Sequence, residues 1–201
     1  LHELHAEMPL VLVDRKVAHL ESDMVGLDNP APVDMALAHL EERGYRDVML
    51  VTEPFDGTSS RIERVSSFKA RIEQRPALRG AITETGSALT ANLKTFLDAP
   101  GSGPKALFCA NGIAALASTH SLRELGCNLF EDVGLIALDD LDWYPLVGSG
   151  ITALAQPTTE IGASAFECLL RRLRGEDGPV RTLDFSARLI VRGSTTLGVS
   201  T

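Results

Sequence analysis

Carboxylates, amides and one guanidinium recur in this chain just past short apolar runs. Asp14 and Arg15 follow Leu10–Val13, Asp28 and Asn29 follow Met24–Leu27, and Asn111 follows Ala106–Cys109. Asp139 and Asp140 follow Val133–Leu138, Gln156 follows Ile151–Leu154, and Arg64 stands one turn into a helix that opens at Ser60. Carboxylates and amides bridge vicinal hydroxyls, and a guanidinium holds a carboxylate by two parallel bonds. The set has no Ser–His pair and no metal cluster, so its chemistry is recognition of a hydroxyl-rich ligand. Arg64 is the candidate for an acid group on that ligand; beside Asp residues it also reads as half of a structural ion pair. Taken singly, each of the others is as easily a loop cap or turn-former; the weight lies in the set. Trp143, the single tryptophan, is close to Asp139. It reads equally as a platform for an apolar face of the ligand and as a core or dimer contact.

The elements that must position these residues alternate between strand and helix. Strands are expected at Leu10–Val13, Met24–Leu27, Asp47–Thr52, around Ala81–Thr83, and at Ala106–Cys109, Val133–Leu138 and Gly150–Leu154. Helices are expected over Val33–Arg43, opened by Asn29-Pro30 and stopped by Gly44, and from a Ser60-Arg-Ile-Glu63 capping box toward Gln74. Three more span Ser87–Asp98, the stretch from an Asn111 cap to Gly126, and Pro157 to Gly175, before closing strands at Arg181–Phe185 and Arg188–Val191. Such alternation with short connections predicts an α/β fold, Rossmann-like, with parallel sheet covered on both faces. Ligands of open α/β sheets bind at the carboxyl ends of the strands, where the polar set falls.

Bulk properties narrow the field. The chain has 201 residues, 44% of them hydrophobic, which is enough for a real core. Its net charge of −8, from 27 acids against 19 bases, makes it a poor partner for a phosphate backbone by itself. Cys109, Cys127 and Cys168 are odd in number and far apart, which fits a reducing cytoplasm better than a disulfide framework. No apolar run has the length of a membrane span. Leu1–Glu7 reads as the end of a helix already under way, so a piece of a longer, truncated or processed chain is expected.

Seven segments in register resemble the effector domains of lactose/galactose-type (LacI/GalR) repressors. Pro9-Leu-Val-Leu-Val-Asp-Arg15 is similar to the family's segment ending in a sugar-contacting Asp. Asp28-Asn29, His39-Leu40 and Gly44-Tyr45 resemble its next strand–helix–turn, and Arg64-Val-Ser-Ser-Phe68 its Arg-x-x-Gly-Phe element with Ser67 for Gly. Ala106-Leu-Phe-Cys-Ala-Asn-Gly112 resembles its strand and Asn-Asp, with Gly112 for Asp. Val133–Asp140, Gly150–Pro157 and Arg188–Thr195 resemble its paired-Asp strand, hinge segment and closing strand. Leu138-Asp-Asp-Leu-Asp-Trp143 with Gly150-Ile-Thr looks closest to repressors of sugar-acid catabolism, such as the 2-ketogluconate type.

The resemblance implies a two-lobed, periplasmic-binding-protein-like fold with the N-terminal lobe incomplete. Residues 1–29 and 156–179 would be what remains of that lobe, and 30–155 with 180–201 the C-terminal lobe, the DNA-binding headpiece being absent. It implies effector contacts at Asp14, Arg64, Asn111, Asp139 and Gln156, and the loss of an aromatic contact at Thr158. It implies a non-enzymatic, cytoplasmic transcription regulator with no cofactor or metal. Its partners would be a sugar or sugar acid, operator DNA through the missing headpiece, and a second copy docked in part through Ala114–Leu125. A periplasmic sugar-binding protein of a transporter is the alternative. A phosphatase using Asp140-Leu-Asp142 is a lesser one, since no lysine follows Asp142. His2-Glu-Leu-His5 falls one residue short of a zinc His-Glu-x-x-His pair.

Overall fold

The apolar runs assemble into two sheets rather than one. A computed structural model describes residues 8–101, 103–176 and 178–196. The smaller sheet has the order β1 (Val11–Val13), β2 (Asp23–Leu27) and β8 (Thr182–Phe185). The larger has the order β4 (Arg79–Glu84), β3 (Asp47–Thr52), β5 (Lys105–Cys109), β6 (Gly134–Leu138), β7 (Thr152–Ala155) and β9 (Arg188–Ile190). Every pairing is parallel except β7 with β9.

Among the described residues, five α-helices cover these sheets: α1 (Pro30–Glu42), α2 (Ser59–Glu73), α3 (Leu89–Asp98), α4 (Gly112–Glu124) and α5 (Thr158–Leu173). Alternation along the strands decides which helix covers which face. Val48, Leu50, Phe108 and Ile136 pack with Leu37 and Leu40 of α1 and Phe68 of α2. Met49, Val51, Leu107 and Leu135 pack on the other face with Leu93 of α3 and Leu122 of α4. Val25 of β2 packs with Ile161 and Cys168 of α5 and with Leu183 and Phe185 of β8.

The chain crosses between the sheets after β2, after β7 and after β8. The last crossing corrects an expected boundary. β8 was expected with the C-terminal lobe from residue 180, but it pairs in parallel with β2 in the small sheet, and the chain changes sheet between Phe185 and Arg188. Gly178-Pro179 is only the return loop between α5 and β8. Pairing there is fixed by burying Leu183 and Phe185 under α5, which outweighs the break in composition at the Gly-Pro pair.

Two expected caps are also corrected. Pro30 opens α1 and Gly44, at φ 87°, follows its end, but Asn29 makes no side-chain cap bond. α2 starts at Ser59 behind Thr58 without a side-chain cap, so Ser60 and Glu63 form no capping box. Asn29 and Glu63 instead bond to each other, Nδ2 donating to Oε2 at 2.9 Å. Charged partners across the crossing compete better for these side chains than the backbone does. Asn111 does cap α4, its Oδ1 accepting from Ala114 N at 2.9 Å. His2 and His5 lie outside the described residues.

Candidate functional site

A cavity of about 670 Å³ lies between the two sheets, and Asp14, Arg64, Asn111, Asp139, Trp143 and Gln156 all line it. Asp14 ends β1 of the small sheet and Asp139 ends β6 of the large one. Both take left-handed backbone, φ 67° and 73°. Asp tolerates that region better than most side chains, at a cost on the order of 1 kcal/mol. Each amide stays paired at the turn, Asp14 N to Val25 O at 3.1 Å and Asp139 N to Leu154 O at 3.1 Å.

Arg64 forms the floor. It is 5% exposed, with Nε donating to Asn29 Oδ1 at 2.8 Å and Nη1 to the Ala110 carbonyl at 3.2 Å. Its Nη2 lies 3.8 Å from Asp14 Oδ1, leaving that edge of the fork to the cavity. Burial opposes its charge, and the Asp14 and Asp139 carboxylates oppose that loss. A guanidinium remains charged under such a balance. Around it the amides are mutually engaged. Gln156 Nε2 donates to Asp139 Oδ1 at 2.6 Å, and Asp139 Oδ2 accepts from Gly112 N at 3.2 Å at the start of α4. Asn111 Nδ2 donates to Glu53 Oε2 at 2.6 Å, the same oxygen that Arg61 Nη2 reaches at 2.6 Å.

Another part of the lining is apolar. Ile113 and Leu116 of α4 are 60% and 59% exposed, and Leu141 and Trp143 adjoin them along the cavity. Leu141 packs over Gly112, where a Cβ would come within 2.3 Å of Leu141 Cδ1 and displace that side chain. Trp143 rests edge-on against Tyr144, centroids 4.6 Å apart, while Tyr144 donates from its hydroxyl to Leu138 O. Trp143 therefore both touches the core and faces the cavity. One polar wall, one apolar wall and an aromatic ring suit a ring that carries hydroxyls on its edge and C–H groups on its face. Thr158 also lines the cavity and brings a small hydroxyl where an aromatic was expected to be missing.

Not every polar strand end faces inward. Asp140 is held by Arg192, Nη1 to Oδ1 at 2.8 Å and Nη2 to Oδ2 at 3.2 Å, which ties up the nucleophile of an Asp-x-Asp phosphatase. Among the described residues no group of three or more His, Cys, Asp or Glu is placed to hold a metal ion. Sequence reasoning missed Glu53 and Arg61. Glu53 follows β3 and obeys the same strand-end rule as the others; Arg61 was absorbed into the supposed capping box. The apolar wall had a weaker signature, two large apolar residues on the solvent side of a helix. Cys109 is fully buried against Ser118, and desolvation pushes its thiol up to about 12, which suits a structural thiol. No helix among the described residues is long and apolar enough to cross a membrane.

Residues 37–195 match the periplasmic binding protein-like domain. Over 195 residues, 97% of this chain, the sequence is 62% identical to the HTH-type transcriptional regulator PtxS of Pseudomonas aeruginosa, of which the match covers 57%. It is 32% identical over 193 residues to the HTH-type transcriptional regulator KdgR of Bacillus subtilis, covering 94% of this chain and 57% of that one. The chain thus spans little more than half the length of these relatives. The fold is also that of a LacI family transcriptional regulator from Enterococcus faecium solved with bound ribose, with TM-score 0.76 at 24% identity, covering 92% of this chain and 70% of that one. The chain belongs to the periplasmic binding protein-like domain family.

Proposed function

We propose that this chain is the sensing part of a DNA-binding transcription regulator and that its effector is a sugar acid, with 2-ketogluconate the first candidate. The observation that carries the reading is the Arg64 fork, buried and partly uncommitted, on the floor of a cavity walled by Asp14, Asn111, Asp139 and Gln156. Arg64 takes the ligand carboxylate, the acids and amides take its hydroxyls, and Trp143 covers a C–H face. No step of chemistry is needed: the domain binds and does not turn over its ligand. In this reading the three-stranded sheet with α5 is part of one lobe and the six-stranded sheet is the other.

The effector favours one arrangement of the lobes because it touches residues on both. That difference reaches operator DNA through a helix-turn-helix carried outside these residues, since this acidic chain has little to offer a phosphate backbone. A coupling of about 1–3 kcal/mol between effector and operator is the ordinary range. A cytoplasmic dimer, with α4 among its contacts, belongs to the same proposal. The test is calorimetry of the longer, DNA-binding protein against 2-ketogluconate, gluconate and neutral sugars. Binding of an acid with Kd near 1 μM, about −8 kcal/mol, is expected. If no carbohydrate or carbohydrate acid binds, the sensing function is wrong.

A further inference from the structure

We propose that Asn29 and Glu63 are positioning residues that aim the Arg64 fork, and that Lys16 links this aim to the contact between the two sheets. The inference rests on Arg64 holding the effector's carboxylate. Four side chains form an unbroken relay. Lys16 Nζ donates to Glu63 Oε1 at 2.9 Å, Asn29 Nδ2 to Glu63 Oε2 at 2.9 Å, and Arg64 Nε to Asn29 Oδ1 at 2.8 Å. The members come from different parts of the molecule. Lys16 follows β1 of the small sheet, Glu63 and Arg64 stand on α2 over the large sheet, and Asn29 sits at the first crossing between them. A second tether reinforces the first, Lys16 N donating to Ser59 Oγ at 2.8 Å.

The relay has a fixed polarity. Glu63 is a carboxylate, so the amide of Asn29 must turn its nitrogen toward it; the carbonyl oxygen then faces Arg64 and can only accept. Asn29 and Arg64 are both buried, so no solvent competes for these bonds. With Nε held by Asn29 and Nη1 by the Ala110 carbonyl, Nη2 is the corner of the fork left toward Asp14 and the cavity. The Lys16–Glu63 pair is the exposed end, with side chains 59% and 35% accessible, and it is the link that parts first when the sheets separate. The ammonium of Lys16 is favoured there by its bond to Glu63. Closure of the sheets and alignment of Arg64 are therefore one equilibrium, which the effector draws toward closure.

The test is calorimetry with 2-ketogluconate on the longer protein and its Asn29→Ala, Glu63→Gln, Lys16→Met, Lys16→Met/Glu63→Gln and Arg64→Ala variants. Asn29→Ala should weaken binding roughly tenfold, as expected for one buried bond to a charged group. Glu63→Gln and Lys16→Met should each weaken it by about two- to fivefold, in keeping with an exposed pair, and the double variant no more than the worse single one. Amide exchange adds a readout that a merely structural role would not move: 2-ketogluconate should slow exchange of the Lys16 amide in the wild type, and not in Ser59→Ala or at saturation in Asn29→Ala. Lys16→Met changes an exposed side chain and stays readable if Asn29→Ala does not fold. If Arg64→Ala loses the acid while the relay variants bind within about twofold of wild type, the relay is wrong and the effector assignment stands. If Arg64→Ala still binds the acid, or the wild type binds none, the assignment falls and takes the relay with it.

Discussion

Replacing Arg64 with lysine keeps the charge and removes the fork, so it separates two accounts of the cavity floor. Arg64 reaches Asn29 at 2.8 Å through Nε, the Ala110 carbonyl at 3.2 Å through Nη1, and the cavity edge near Asp14 through Nη2. One ammonium cannot serve three directions spread over a planar group. A lysine that satisfies Asn29 abandons Ala110 and the cavity. Burial would also push its amine down, whereas a guanidinium stays protonated. Losing a charge-assisted bond to the ligand carboxylate costs about 1.5–3 kcal/mol, or roughly 10- to 150-fold in Kd. Leaving the Ala110 carbonyl unpaired costs a further ~1–3 kcal/mol of fold stability. For a chain of this size each kcal/mol lowers the Tm by about 2–4 °C. Calorimetry with 2-ketogluconate and thermal unfolding of Arg64→Lys read both quantities, and a neutral sugar should lose less affinity than the acid. Wild-type affinity for the acid in Arg64→Lys would refute the fork, because a point charge would then suffice.

Three other perturbations follow from the same coordinates. Asp23 is buried at the start of β2, where Arg172 holds both its oxygens at 2.8 and 2.9 Å and Arg181 N donates to it; Asp23→Ala should cost about 3 kcal/mol in denaturant unfolding and leave effector affinity within threefold. His39 is buried against Thr195 Oγ1 at 2.8 Å, and desolvation, helped by Arg43, lowers its pKa below 6.5. The unfolded chain therefore binds the extra proton more readily, so stability present above pH 6.5 is lost as pH falls below it, and His39→Gln should flatten that part of the Tm–pH curve. Tyr45 is buried with a hydroxyl that meets no hydrogen-bond partner among the described residues, and burial pushes it up to about 12. Tyr45→Phe should be neutral or raise stability by up to ~1 kcal/mol; a loss above 1 kcal/mol in urea unfolding would contradict an unsatisfied hydroxyl.

The order of strands and helices was legible because buried parallel strands read as short apolar runs and their helices as amphipathic stretches between turn residues. The polar set was legible for a related reason: parallel strands all deliver their carboxyl ends to one edge, so residues past them converge whatever the details. What stayed hidden depends on pairing across the chain. Thr182–Phe185 looks like its neighbour Arg188–Ile190, and nothing local says that one runs beside β2 and the other beside β7. Asn29 and Glu63 have the types and spacing of caps. Their actual partners, 34 residues apart, exist only once α2 is laid against the crossing. The packing of Leu141 over Gly112 is likewise a contact between residues 29 apart that no local pattern shows.

The two aspartates with left-handed backbone belong to different sheets, and this decides what kind of binder the cavity is. A ligand that reaches Asp14 and Asp139 together must span the gap, so its affinity depends on how the sheets stand. Most of the polar groups it would meet are already engaged, Gln156 with Asp139, Asn111 with Glu53, and Arg64 with Asn29. An entering hydroxyl therefore exchanges bonds more than it adds them, and net gain per bond is small. Geometry then matters more than bond count: a ligand of the wrong shape breaks these pairs without restoring them and leaves buried groups unsatisfied. Arg64 Nη2 is the loosest of these groups, 3.8 Å from Asp14 Oδ1, so a ligand carboxylate there competes with one long ion pair rather than with a short hydrogen bond. If the proposed acid effector is right, such a cavity should discriminate among hydroxyl patterns by shape and depend on Arg64 for the acid group.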